Sequence, residues 1–379
     1  MNTELNNEKV AEGKIYNIID SVKGGCGKTT FGIMLSLLLD KYRTEKKSNG
    51  ETVACMVDVD IQGSALLYLL FGKTYIDKET DNNFKFLNDR VIAVGQTEGS
   101  SMEYVHRFTF KAPEKVESEE KEPEEGDSPK TAEDKGPWFD VVFCDPRSEG
   151  KKKFRSLSNQ NYSPEVLYST YRMGMASMIA NLKRQKGYQH KYIVFDMPPN
   201  SDGYSDSVYD NLLKKEYTIM EEEDVCNLFL IQTVDYGQRQ ATVEYLKELL
   251  ATENFGKINK IFLVFNDWLN YKIGDNLFEE AISHMKSELK NIDEKLYKKI
   301  FFIGLNFNEE YYRLCTQNDG IRNQKMPDGL MEPINYIKNI EGEDLILILK
   351  KENGEVVTDV KMTQAEKFIR VLEKKSSEE

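Results

Sequence analysis

Lys23-Gly24-Gly25-Cys26-Gly27-Lys28-Thr29-Thr30 decides how this chain is read. An apolar run, Ile15-Tyr16-Asn17-Ile18-Ile19, precedes it, and Phe31-Gly32-Ile33-Met34-Leu35, continuing to Leu39, follows. The order is strand, glycine loop, helix. A loop in that place aims successive backbone N–H groups at one point, at the positive end of a helix dipole. Glycines let the backbone close on a polyphosphate without a Cβ in the way. The spacing puts Lys28 within reach of β- and γ-phosphates and the Thr29 hydroxyl where it can bind Mg²⁺.

Outward from the loop, apolar runs alternate with helical segments. Strands are expected at 14–19, 52–57, 138–144, 191–195, 226–231, 260–265 and 300–303. Several are continuously apolar, as strands covered on both faces are. Helices are expected after the loop to about Tyr42, over Ala65 to Phe71, from Ser163-Pro164-Glu165 to about Lys186, and from about Gln238 to Leu250. This alternation predicts an α/β fold with three layers, a mostly parallel central sheet covered by helices on both faces. In such a sheet, ligands sit at the carboxyl ends of the strands. Those ends supply the loop, then Asp58 and Asp60, then Asp196, then Asn266. Asp196 closes an apolar strand and is a candidate acid for holding Mg²⁺ through water. Asp58 and Asp60, spaced i, i+2, can both face the phosphates, and either can hold an attacking water in line with the γ-phosphate.

The common phosphate-loop pattern, Gly-x-x-x-x-Gly-Lys-Ser/Thr, would need glycine at Val22; Lys23 stands beside that valine instead. The stretch resembles the deviant Walker A loop, Lys-Gly-Gly-x-Gly-Lys-Thr-Thr, of the ParA/MinD ATPases. All seven fixed positions match, with Cys26 at the free one. Asp58-Val59-Asp60-Ile61-Gln62-Gly63 resembles the family's Asp-x-Asp-Pro-Gln-Gly segment, except that Ile61 replaces proline, and Asp196-Met197-Pro198-Pro199 resembles its Asp-x-Pro-Pro. The match covers 14–72 and 138–310 by motif order.

The resemblance implies a P-loop NTPase fold and a Mg²⁺-dependent ATPase that turns over slowly and is stimulated by a partner protein. Gly24 to Thr30 would hold ATP, Thr29, Asp58 and Asp196 the cation, and Asn266 the adenine. Asp60 would position water, within a switch running from Asp58 to Gly63. Lys23 would reach the nucleotide of a second subunit, closing a homodimer around two ATP molecules. The family's cargo is moved or partitioned, most often a plasmid or chromosome region.

Composition sets the frame around this core. Of 379 residues, 40% are hydrophobic and 30% charged, an ordinary globular balance. No apolar run approaches the ~20 residues of a membrane span. The first residues, Met1 to Glu8, are polar and acidic, unlike a secretion signal, and a cytoplasmic protein is expected. The five cysteines are scattered with no Cys-x-x-Cys, so they read as reduced core residues. A net charge of −13 opposes non-specific binding to DNA or anionic membrane by the molecule as a whole. Between Ala112 and Gly136 ten acids meet four bases, a net of −6, which leaves −7 on the rest.

The domain plan expected is a flexible leader over 1–13, an ATPase domain over 14–310 and a C-terminal extension over 311–379. An insertion at 77–136 interrupts the ATPase domain. Within it, 90–94 and 104–110 can pair as a hairpin, and 112–136 is too polar to fold. The extension carries a hairpin around Asn353-Gly354 and a last helix from Thr363 to about Lys374. That helix has an apolar face better suited to core packing than to a membrane, so membrane is not an expected partner. DNA is a possible partner. Lysines between Lys286 and Lys299 offer a basic face, but five acids lie among or just before them. Three other readings share the fold: a metabolic or maturation enzyme, an ATPase that positions a membrane or protein complex, and a nucleotide-dependent binding module that hydrolyses little. Arg147, at a strand end, reads as a surface residue.

Overall fold

All seven expected strands form, and they lie side by side in parallel. The computed structural model describes residues 13–41, 53–61, 63–73, 85–92, 104–108, 139–152, 163–184, 190–199, 206–251, 257–266, 276–290, 292, 294–305, 309, 313, 320–324, 334–340 and 364–375. Within them the chain runs β1 (Ile15–Asp20), α1 (Lys28–Lys41), β2 (Ala54–Asp58), α2 (Leu66–Phe71), α3 (Leu87–Ile92), β3 (Val105–Phe108), β4 (Phe139–Val142), α4 (Pro164–Arg184) and β5 (Tyr192–Asp196). It continues through α5 (Asp206–Leu213), β6 (Val225–Gln232), α6 (Tyr236–Leu250), β7 (Ile258–Asn266), α7 (Asn276–Leu289), α8 (Glu294–Tyr297), β8 (Ile300–Leu305), β9 (Ile334–Asn339) and α9 (Gln364–Glu373).

One nine-stranded sheet has the order β3-β4-β2-β5-β1-β6-β7-β8-β9. Its two outermost pairs, β3 with β4 and β8 with β9, are antiparallel, and every other pair is parallel. Side chains alternate between two cores because successive strand residues point to opposite faces. Ile15, Ile19 and Met56 face a core shared with α1, α2 and α9; Tyr16, Ile18 and Val57 face one shared with α4, α5, α6 and α7. This is the expected three-layer P-loop architecture. Helix α1 is buried from Phe31 through Asp40, as its apolar residues on every side require.

Strand β1 lies at the centre, between β5 and β6. The connection leaving β1 passes through α1 on one face, whereas β5 reaches β6 through α5 on the other. Connections therefore diverge at the end of β1, which opens a crevice there. The loop from Lys23 to Thr30 stands in that crevice.

The hairpin expected from 90–94 and 104–110 is corrected. Leu87–Ile92 is a helix, and Val105–Phe108 pairs antiparallel with β4, Phe108 opposite Phe139. Pairing with β4 closes that strand's open edge and buries Phe108 against Phe71 and Phe139, which a free-standing hairpin would leave in water. Strand β9, absent from the expected strands, joins the opposite edge. The last helix packs as expected: Phe368, Ile369 and Leu372 are buried in the core beside α1. Cys26, Cys55, Cys144 and Cys226 are buried and unbridged. The leader up to residue 12, the acidic stretch 112–136, the hairpin around Asn353-Gly354, Gln62 and Cys315 lie outside the described residues.

Candidate functional site

The loop leaves β1 at Asp20 and enters α1 at Lys28. Gly25 and Gly27 have φ of 77° and 93°, in the left-handed region that favours glycine. At Gly27 a side chain has no room either, since its Cβ would fall on the Asn266 amide. Asn266, at the end of β7, donates from Nδ2 to the Cys26 carbonyl at 2.7 Å. The residue expected to meet adenine thus braces the loop from beneath. The Lys28 ammonium donates to Ser21 Oγ at 2.8 Å, and Ser21 Oγ donates in turn to the Lys23 carbonyl at 2.8 Å. The Lys23 side chain is exposed. Gly24 and Gly25 are also exposed, whereas Cys26 is buried and Thr30 partly buried.

Thr29, in the first turn of α1, donates from Oγ1 to Asp196 Oδ2 at 2.7 Å. Asp196 ends β5, 3% exposed, and its other oxygen, Oδ1, has no partner among the described residues. Burial pushes its carboxyl up to about 6, against the opposing pull of the Thr29 hydroxyl and the Lys28 charge. An orphaned carboxylate oxygen beside a pinned threonine hydroxyl is a hard-oxygen donor set that suits Mg²⁺. Among the described residues no three His, Cys, Asp or Glu side chains form a metal cage.

Strand β2 places Asp58 opposite Asp196 in register. Both Asp58 oxygens are taken by donors of the chain. Oδ1 accepts the Asp60 N–H at 3.1 Å, and Oδ2 accepts the Ser64 hydroxyl and, at 3.4 Å, the Cys144 N–H. Burial, and then the charge of Asp196, hold the Asp58 carboxyl well above the usual carboxylate range. Asp58 is built as the brace of the turn that follows it. In that turn Asp60 is half-buried and accepts the Gly63 N–H at 2.6 Å. Its carboxylate lies where a Cβ on Gly63 would be, so a side chain there would push the Asp60 carboxylate aside.

A pocket of about 320 Å³ lies between the loop and the start of α6, lined by Val22, Lys23, Gln232, Asp235, Gln238 and Thr242 among others. Asp235 caps α6, accepting the Gln238 N–H at 3.1 Å. Gln232 is 1% exposed, and neither amide atom has a partner among the described residues. Arg147 pairs with Asp145 through both Nε and Nη2, at 2.9 and 3.2 Å, and lies over the Phe86 ring.

The strand ends thus bring Lys28, Thr29, Asp196 and Asn266 to one crevice, with Asp58 and Asp60 beside them. Sequence reading missed Ser21, Ser64 and Gln232, and also Asp20, whose carboxylate accepts the Tyr209 hydroxyl at 2.7 Å and the Tyr245 hydroxyl at 3.3 Å. Asp20 and Ser21 carried a signal, a charged and a hydroxyl residue wedged between strand and glycines. The tyrosines carried none.

No protein-family model and no curated protein matches the chain. Solved structures do. McdA of Cyanothece in complex with ATP is similar at 14% identity and a TM-score of 0.48, over 93% of this chain and 99% of that one. The cell division ATPase MinD of Pyrococcus furiosus is similar at 15% and 0.46, over 95% and 97%. A ParA family ATPase from Chlorobium tepidum is similar at 14% and 0.46, over 82% and 90%.

Proposed function

We propose that this chain is a Mg²⁺- and ATP-dependent dimerising switch of the ParA/MinD type, hydrolysing ATP to ADP and phosphate to position or partition a cargo. The observation that carries the proposal is the Thr29–Asp196 contact at the mouth of a glycine loop, with Asp196 Oδ1 left over for a cation's water shell. Bound Mg²⁺ supplies charge neutralisation on the β- and γ-phosphates. The chain supplies the rest. Loop N–H groups from Gly24 to Thr30 cradle the phosphates, and the Lys28 ammonium, one of its three donors kept on Ser21, adds positive charge at the γ-phosphate. Asp60 orients the attacking water, held by the turn that Asp58 and Ser64 brace. Asn266 completes the adenine side while supporting the loop.

Lys23 is assigned to the neighbour's nucleotide. Its side chain is exposed, while its own carbonyl is tied to Ser21. A cation arriving in trans makes hydrolysis depend on dimerisation and gives a two-state switch. The exposed Lys23 and the buried amide of Gln232 share the pocket a partner subunit would cover. A stimulating partner protein and non-specific DNA belong to this reading.

The test is hydrolysis and light scattering with Mg-ATP, with Mg²⁺ chelated, and with Lys23→Ala and Asp60→Ala. Lys23→Ala is expected to bind nucleotide like the wild type, yet to stay monomeric and turn over no ATP. Asp60→Ala is expected to dimerise and stay dimeric, because the switch cannot reset. A Lys23→Ala protein that dimerises and hydrolyses normally would sink the in-trans assignment. A gel shift with plain duplex DNA, with and without ATP, tests the cargo.

A further inference from the structure

Asp20 is the last residue of β1, 6% exposed, one residue before the serine that holds the phosphate-loop lysine. Its Oδ1 accepts the Ser21 N–H at 2.6 Å. Its Oδ2 accepts the Tyr209 hydroxyl of α5 at 2.7 Å and faces the Tyr245 hydroxyl of α6 at 3.3 Å. The two hydroxyls are 3.2 Å apart, so Tyr245 shares its proton between Tyr209 and the carboxylate. The Lys28 charge acts on this carboxylate as well. A buried carboxylate needs donors. Without the tyrosines, Asp20 keeps the Ser21 N–H, and the cation whose charge acts on it is the Lys28 ammonium, now on Ser21.

We propose that Tyr209 and Tyr245 are positioning residues that satisfy Asp20 and so keep it from capturing Lys28, leaving that ammonium free to serve phosphate. The inference rests on the nucleotide reading above for its consequence but not for its geometry. It ties the helices after β5 and β6 to the chemistry of the loop through a single carboxylate. It also explains why a residue as costly as a buried aspartate stands so close to a phosphate site: with its donors in place it fixes the first turn of the loop through Ser21.

Two readouts test it, one independent of nucleotide. The first is the rate at which an amine-reactive reagent labels Lys28, read by mass spectrometry. The second is affinity for a fluorescent ATP analogue with Mg²⁺. In Tyr209→Phe/Tyr245→Phe, Lys28 is expected to label severalfold more slowly and affinity to fall about tenfold, the scale of one hydrogen bond to a charged group. Adding Asp20→Asn is expected to restore both, because an amide does not hold an ammonium as a carboxylate does. A purely structural role predicts the opposite, a triple variant worse than the double. Unchanged labelling in the double variant, or no recovery in the triple, overturns the inference. If the double variant does not fold, Tyr245→Phe alone, which loses the longer bond, must slow labelling in the same direction or the inference falls. Wild-type protein that binds no Mg-ATP would overturn the nucleotide reading, while labelling still decides this one.

Discussion

At the scale of single residues, the chemistry concentrates on Asp196. Burial raises its carboxyl from the ordinary 3.8 to about 6, so the folded protein holds that proton more tightly than the unfolded chain does. The stability this contributes is full below about pH 4 and is lost as pH rises through about 6. Near neutral pH the cation-free protein therefore carries a buried charge that costs stability, and under the function proposed above Mg-nucleotide would offset it. Asp196→Asn is neutral at every pH. It is expected to melt above the wild type at neutral pH without Mg²⁺, to lose that lead toward pH 4, and to gain nothing from Mg-ATP. Scanning fluorimetry across pH reads all three; identical melting of the two proteins across the range would mean that Asp196 carries no such strain. The placing of Lys28 and Thr29 at the head of α1 and of Asp196 at the end of β5 was legible, because a glycine loop marks the first and an apolar run the second. Asp20's partners were not, because Tyr209 and Tyr245 lie 189 and 225 positions away and reach it only through the packing of two helices. Ser64 was missed for a local reason, since nothing in the sequence distinguishes a serine that closes a turn onto Asp58 from one facing water.

At the scale of elements, the parallel strands were legible because burial on both faces forces continuous apolar runs. The edge strands were not. β3 is four residues long and alternates, with Arg107 exposed and Phe108 buried, a pattern that fits pairing with any neighbour, and β9 mixes Ile334 and Ile337 with Asn335, Lys338 and Asn339. The last helix was legible as apolar on one side, but what fastens it was not. Asn17, Asn227 and Asn259 form a buried ladder across β1, β6 and β7, linked at 3.2 and 3.0 Å. Asn227 also donates to the Leu372 carbonyl at 3.1 Å and Asn259 to the Lys374 carbonyl at 3.0 Å. The ladder satisfies carbonyls at the end of α9, which have no partner within their own helix. In sequence these are three polar residues in apolar strands, a local conflict that only the docked helix resolves. Asn227→Ala would leave Asn17, Asn259 and the Leu372 carbonyl each short of a bond, at about 1–3 kcal/mol per buried group. A loss of about 3 kcal/mol is expected, seen in urea as a lower midpoint at unchanged slope. A helix that is only appended to the fold would leave the midpoint where it was.

At the scale of the whole molecule, charge and switch make opposite demands. Two copies carrying −13 each repel one another at distances beyond contact, whatever their interface offers. That repulsion is long-ranged and is screened once the Debye length falls to about 8 Å near physiological salt. The Lys23–phosphate contact proposed across the dimer is short-ranged and desolvated, and salt weakens it far less. Raising salt from low to physiological strength is therefore expected to speed ATP-dependent association while leaving dissociation nearly unchanged. DNA binding has the opposite sign. On a body of this charge it has to come from a local basic patch, and displaced counterions make such affinity fall linearly in log salt. The candidate stretch near Lys298 is already partly neutralised, Lys298 by Glu294 at 3.2 Å, and Lys338 nearby is paired with Glu279 at 3.0 Å. Stopped-flow light scattering for the dimer and fluorescence anisotropy with a duplex, over one shared salt series, separate the two. Opposite slopes are expected if both partners are real. A dimerisation rate that falls with salt would place the driving force in surface ion pairs and remove the case for a buried lysine in trans.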